Sequence, residues 1–141
     1  MVEFAVVLPM LAMLMIGLIE VGRYTYFAIM AAHAARAGVQ YGAQNLITAA
    51  DNTGMKNAAT ADAQSLSQWT VTPTHTCATN GTTSPCPQSN ATSVSPSLVY
   101  FVQVTVTGNF KPLMGYPGIP GSNLSQGLPV TATAIMRVTT Q

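Results

Sequence analysis

Apolar residues are concentrated at the start of the chain. The first 50 positions contain 35 of them, and the remaining 91 positions contain 33. Between Glu3 and Glu20 lies an uncharged run of sixteen residues, FAVVLPMLAMLMIGLI. As a helix this run is roughly 24 Å long, slightly short of a bilayer core of about 30 Å. The pattern predicts a hydrophobic N-terminal helix over residues 1–50 and a polar head over residues 51–141.

The uncharged run admits three interpretations. A cleaved signal peptide needs a basic segment and a small-residue cleavage site, which the run lacks. A buried core helix usually carries a polar stripe, and the run shows none. We favour a helix that lies first in a membrane and later among copies of itself, because small residues that allow close helix packing follow it. These small residues are Ala28, Ala31, Ala32, Ala34, Ala35, Ala37, Gly38, Gly42 and Ala43.

Four residues interrupt this apolar pattern. Pro9 removes a backbone hydrogen bond, so we expect a kink or a loosened turn there. Glu20 and Arg23 are three residues apart, which places them on one helix face as an ion pair at the end of the span. Glu3 has no basic residue within one helical turn. Since an unpaired carboxylate beside lipid is costly, we expect Glu3 to find a cation outside its own helix.

These residues carry a resemblance. The stretches VEFAVVLP at 2–9, GLIEVGR at 17–23, AARAG at 34–38 and YGA at 41–43 resemble the TadE-like proteins of Tad (Flp-type) pilus systems. The resemblance implies a pseudopilin with a pilin-like helical stalk. It also implies the family's partners: a prepilin peptidase that clips a leader after glycine, and an assembly machinery that extracts the mature helix from the inner membrane into an extracellular filament.

The resemblance also implies a role for Glu3. In pilin-like assemblies the N-terminal ammonium of an incoming subunit can neutralise a buried glutamate, and this pairing can set the axial register. The glutamate is the fifth mature residue in the type IV pilin scheme, and it is the third residue here. We expect the chain to be a processed form, in which two residues are missing from the start or cleavage falls elsewhere.

The head has the pattern of an α+β fold. Residues 51–54 have turn chemistry, and residues 55–69 are compatible with a helix. Residues 70–97 are rich in Thr, Ser, Pro and Asn, and we expect an exposed loop with short extended pieces. Apolar residues alternate with polar ones at 98–106 and at 130–138, which predicts two half-buried antiparallel strands. Between them, residues 111–127 are dense in Pro and Gly and predict a long irregular loop.

Cys77 and Cys86 are the two cysteines of the chain. In an exported protein they most simply form a disulfide, while a metal site with His75 is the alternative that lacks a fourth ligand at suitable spacing. The head also contains three Asn-X-Ser/Thr patterns, each of which is weak evidence for glycosylation. They begin at Asn80, Asn90 and Asn123.

Composition limits the function further. Charged residues make up 6% of the chain and its net charge is +1, which provides no electrostatic footprint for nucleic acid. His33 and His75 have no nucleophile or carboxylate partner in sequence, and no phosphate loop or dinucleotide fingerprint occurs. We therefore expect no enzyme activity, no cofactor, no metal and no small-molecule substrate.

A building block explains more of these features. The prediction is a structural subunit of an extracellular pilus-like filament, a homo-oligomer that assembles through its N-terminal helix. One alternative is a minor TadE-type pseudopilin that primes or caps a pilus of another subunit. The other is a membrane-anchored adhesin whose polar loop binds a surface or a glycan.

Overall fold

The computed structural model describes residues 2–63, 69–79, 82–86, 98–113 and 127–138. Within these residues the fold is α+β, as predicted: a long apolar helix is followed by a small part with short helices and an antiparallel sheet. The elements are α1 (Val2–Gly42), α2 (Leu46–Ala50), α3 (Asn52–Asp62), β1 (Thr70–Thr79), β2 (Thr82–Pro85), β3 (Leu98–Phe110) and β4 (Leu128–Arg137).

The helix α1 contains 41 residues, which corresponds to about 62 Å. Ala, Leu and Met are frequent in it, and these residues have high helix propensity. The helix continues through Pro9, whose missing amide removes one backbone hydrogen bond. A kink at Pro9 stays a prediction.

Two short helices follow α1, and a polar cap starts each of them. The side chain of Asn45 accepts a hydrogen bond from the Thr48 amide at 2.8 Å, and the Thr48 hydroxyl accepts one from the Asn45 amide at 3.1 Å. This reciprocal arrangement is a capping box, and it starts α2. Asp51 starts α3, because its Oδ1 accepts a hydrogen bond from the Gly54 amide at 2.9 Å. The turn chemistry predicted for this segment therefore begins a helix.

The helix α3 is shorter than the predicted helix over residues 55–69. It ends at Asp62 with Ala63 as its C-cap, so the expectation of a helix up to Trp69 was wrong. Trp69 lies directly before β1, where its ring stacks on Phe27 of α1 with centroids 6.5 Å apart. The partly buried indole packs on α1 and β1 starts at the next residue, which places Trp69 outside the helix.

The four strands form one antiparallel sheet in the order β2-β1-β3-β4. The strands β3 and β4 are the two that the alternating pattern predicted. They pair from Phe101 opposite Arg137 to Phe110 opposite Leu128. The apolar face of β3 is buried from Val102 to Phe110, with Val102 and Val106 at 0% exposure and Phe110 at 2%.

The strand β1 shows that the predicted loop over residues 70–97 was wrong in its first part. Thr70–Thr79 is a ten-residue strand that pairs with β3 along its whole length. The sequence contained the signal, because threonine occupies every second position from 70 to 76 and β-branched residues favour strands. Pro73 obscured this signal. Among the described strands, β2 pairs only with residues 76–79 of β1, so Pro73 lies on a sheet edge, where a missing amide is tolerated.

The core lies between the helices and one face of the sheet. The second half of α1 approaches α3 and β3 closely at Gly38. A Cβ atom there would lie 3.0 Å from the carbonyl oxygen of Met55 and 3.2 Å from side-chain atoms of Ala59 and Val104. Small side chains on α1 allow this packing. The other buried residues of the core are Ala31, Ala34, Ala35, Val39, Ala49, Ala63, Val102, Val106, Phe110, Val130 and Val138.

Candidate membrane and assembly surface

The first half of α1 exposes apolar side chains in every direction. Between Phe4 and Val21, the large apolar residues are 37 to 80% exposed. By length and composition α1 is able to cross a membrane. An apolar surface of this extent is not stable in water as a single copy, because contiguous exposed patches of this size mark contacts with lipid or protein. We call residues 4–21 the apolar stalk.

The head packs on one face of the second half of α1. An aromatic cluster joins the two where the apolar stalk ends. The ring of Phe110, at the end of β3, lies 5.7 Å from that of Tyr24 and 5.3 Å from that of Phe27, both in edge-on geometry. Phe27 in turn stacks on Trp69. Such aromatic contacts stabilise beyond the area they bury, so the helix and the sheet are firmly joined at this level.

Glu20 and Arg23, the predicted ion pair, lie beside this aromatic cluster. Arg23 Nη1 donates to Glu20 Oε2 at 3.0 Å, and the side chains are 35% and 13% exposed for Arg23 and Glu20 respectively. The Arg23 guanidinium also lies over the Phe110 ring, 5.4 Å from its centroid. The backbone amide of Leu113 donates to the other carboxylate oxygen of Glu20. We call these four residues the junction cluster, since they fasten the segment after β3 to α1.

The spacing of Glu20 and Arg23 predicted their ion pair, whereas the contacts of Phe110 and Leu113 with this pair were not predicted. Glu20 and Leu113 are 93 positions apart, and nothing in the local pattern around Leu113 indicates a contact with α1.

Glu3 lies in the first turn of α1, and its side chain is not among those described. Its assembly role therefore stays a prediction. The three possible glycosylation positions Asn80, Asn90 and Asn123 lie outside the described residues, as does most of the predicted loop, residues 114–126.

Cys77 and Cys86 form the predicted disulfide, with their Cα atoms 5.0 Å apart. Cys77 is on β1 and 2% exposed, and Cys86 directly follows β2, so the bond closes the β1–β2 hairpin. The disulfide uses both thiols that the alternative metal site with His75 required. In the described part of the chain, no group of three or more His, Cys, Asp or Glu residues is placed to hold a metal ion.

A second contact that the sequence did not indicate joins α1 to α3. The hydroxyl of Tyr41 donates to Asp51 Oδ2 at 3.1 Å, while the Gly54 amide donates to Asp51 Oδ1. The hydrogen bond from Gly54, followed by that from Tyr41, lowers the pKa of the Asp51 carboxyl below its usual value. The Asp51 carboxylate therefore both starts α3 and ties it to the end of α1.

An exposed apolar stalk that continues into a helix packed against a small antiparallel sheet defines an α+β protein with an N-terminal apolar helix. The family model described as TadE-like protein matches residues 1–40. This match confirms the predicted resemblance over residues 1–40. The matched segment contains the whole apolar stalk and the ion pair of Glu20 and Arg23. The match indicates that the protein is related to Tad pili and their assembly machinery. Together with the apolar stalk, it indicates that α1 anchors the chain in a membrane. No curated protein and no solved structure matches the chain significantly.

Proposed function

We propose that this chain is the structural subunit of an extracellular pilus-like filament, held in the inner membrane by α1 before assembly. The apolar stalk is the observation that supports this proposal. Its side chains are exposed on all sides, whereas the second half of α1 already packs against the head. Lipid tails, and afterwards a bundle of identical stalks, provide the apolar surroundings that the exposed side chains need.

Assembly in this proposal requires no catalysis by the chain itself. A prepilin peptidase acts on the precursor, and the pilus machinery moves the stalk from lipid into the filament. In the filament core, the Glu3 carboxylate pairs with the N-terminal ammonium of a subunit. A carboxylate buried without such a partner is strongly unfavourable, so the pairing selects one axial register between neighbours.

The minor pseudopilin is a second candidate, because the family match is equally consistent with a major and a minor subunit. The match covers residues 1–40 and leaves the head unmatched. A minor subunit uses the same stalk to prime or cap a pilus built from another protein. An adhesin that stays in the membrane through the same stalk is the third candidate.

Electron microscopy of filaments sheared from cells, with mass spectrometry of their main component, separates these candidates. We expect this chain to dominate thin filaments. A trace amount in filaments made of another protein, or recovery from the membrane fraction, would favour the minor role. The adhesin predicts monomers after extraction in detergent.

The register role of Glu3 is tested with Glu3→Ala in the same preparation. We expect the variant to insert into the membrane at the normal level and to yield no ordered filaments. Asp62→Ala, which removes an exposed carboxylate from α3, is the matched control and should assemble normally. Normal filament yield from Glu3→Ala would refute the role.

A further inference from the structure

The junction cluster lies close to the expected boundary of the bilayer. The uncharged run between Glu3 and Glu20 is about 24 Å long, against a hydrocarbon core of about 30 Å. When this run is centred in the bilayer, Glu20 lies near the boundary between acyl chains and headgroups. Leu113 lies at the same level, because its amide is hydrogen-bonded to the Glu20 carboxylate.

The segment around Leu113 has the surface that such a boundary requires. The Leu113 side chain is 74% exposed. Its amide is bonded to Glu20, and the preceding Pro112 has no amide hydrogen. Residues 112 and 113 thus present an apolar side chain without an unpaired amide donor. An amide hydrogen that enters lipid needs a hydrogen-bond acceptor within the protein, because lipid tails provide none.

The charges at this level also suit a membrane surface. Both oxygens of the Glu20 carboxylate accept hydrogen bonds, one from Arg23 and one from Leu113. Lys111 is exposed two positions before Leu113. A lysine near a bilayer surface is attracted to headgroup phosphates and anionic lipids.

We propose that residues 111–113 form a second membrane contact, in which Leu113 enters the headgroup–acyl boundary beside α1. The partner is the phospholipid surface around the stalk, and the contact exists while the subunit waits in the membrane. Together with the stalk it holds the head at a set height and orientation above the bilayer. This inference rests on the proposed insertion of α1.

Depth measurements on the full chain test the contact. We suggest single nitroxide labels introduced through Leu113→Cys, Ile135→Cys and Met13→Cys, with the protein reconstituted in liposomes of phosphatidylcholine and phosphatidylglycerol. Ile135 is the matched control, since it is an apolar residue 60% exposed on β4 that lies opposite Gln103, away from the end of β3. Met13 is 78% exposed in the middle of the stalk and reports insertion of α1.

The readout is the accessibility of each label to oxygen, which prefers lipid, relative to a water-soluble nickel chelate. We expect the highest ratio at Met13, an intermediate ratio at Leu113 that exceeds the Ile135 value several-fold, and an aqueous ratio at Ile135. Equal ratios at Leu113 and Ile135, with Met13 still in lipid, would refute the second contact and leave insertion intact. An aqueous ratio at Met13 would refute insertion itself, and the second contact with it.

A second measurement guards against an effect of the labels themselves. The intrinsic reporter is Leu113→Trp, with Trp69→Phe as background, since Trp69 is the single tryptophan of the chain. We expect its emission to be quenched by lipids brominated near the headgroup. Absence of quenching in liposomes that contain inserted protein would overturn the proposal.

Discussion

Gly38 offers a sharp test of how α1 docks on the head. Gly38→Val introduces a Cβ atom 3.0 Å from the Met55 carbonyl oxygen and 3.2 Å from Val104 Cγ1, and two further methyl groups in the same space. Because one of the obstructing atoms belongs to the backbone of α3, relief requires that α1 and α3 move apart. Overpacking of this kind costs about 1–3 kcal/mol. The higher helix propensity of valine returns only a few tenths of a kcal/mol.

We therefore expect Gly38→Val to lower the free energy of unfolding of the head by about 1–3 kcal/mol. This corresponds to a decrease in Tm of roughly 5 to 20 °C for a domain of this size. Urea and thermal unfolding in detergent micelles measure the effect, with the fluorescence of Trp69 as the signal. Trp69 is suited to this purpose because it packs between α1 and β3, on Phe27 and against Gly108.

The matched control is Gly22→Val on the same helix. A Cβ atom at Gly22 meets nothing within 4 Å, so we expect its stability to stay within about 0.5 kcal/mol of the wild type. Equal effects of the two substitutions would refute the reasoning, because they would show that helix propensity and not the α1–α3 contact determines the outcome. A stable Gly38→Val variant would show that the helices are not packed at this point.

The disulfide, the cap of α3 and the junction cluster support three more predictions. Replacing Cys77 and Cys86 together by alanine should lower the free energy of unfolding, measured by urea titration, by about 2–3 kcal/mol. A thiol reductant should produce the same loss in the wild type. An unchanged free energy of unfolding would show that the disulfide does not stabilise the β1–β2 hairpin. Asp51→Asn keeps a capping side chain but removes a carboxylate whose pKa is lowered in the folded state. A lowered pKa stabilises the folded protein above about pH 4, and this contribution is lost as the pH falls through the folded-state pKa. Wild type and Asp51→Asn should therefore differ in stability at neutral pH and converge in acid, and a difference independent of pH would be the contrary result. Glu20→Ala should speed hydrogen exchange at the Leu113 amide by roughly tenfold or more, because a hydrogen bond to a charged acceptor contributes about 1.5–3 kcal/mol. An unchanged exchange rate would show that the hydrogen bond between Leu113 and Glu20 is not formed.

The elements with a regular local pattern were predictable. Alternation of apolar and polar residues identified β3 and β4 and the buried face of β3, because side chains alternate between the faces of a strand. On the predicted face of β4, Val130 is buried and Met136 is 43% exposed. The same rule applied to β1, where threonine at positions 70, 72, 74 and 76 formed the alternating set. The high content of Thr, Ser, Pro and Asn in residues 70–97 favoured a loop instead. Its pairing with β3 shows that the strand pattern was the stronger of the two indications.

The end of α3 was less predictable for a different reason. Residues 55–69 are compatible with a helix, but the position of Trp69 depends on Phe27 in α1 and on Gly108 in β3. The ring occupies the space that the absence of a side chain at Gly108 leaves open. Local propensity contains no information about such a space, so the predicted helix is longer than α3, which ends at Asp62.

The sequence by itself determined that the N-terminal part is an apolar helix suited to lipid and to other helices, and that two cysteines and alternating strands belong to a small polar head. These conclusions depend on composition and on short-range periodicity, which each segment carries independently of the rest. Only the tertiary structure decided where the head covers α1, that Gly38 meets both α3 and β3, and that Glu20 binds Leu113 across 93 positions. Contacts between residues far apart in the chain arise from the packing of whole elements, and no local pattern specifies them.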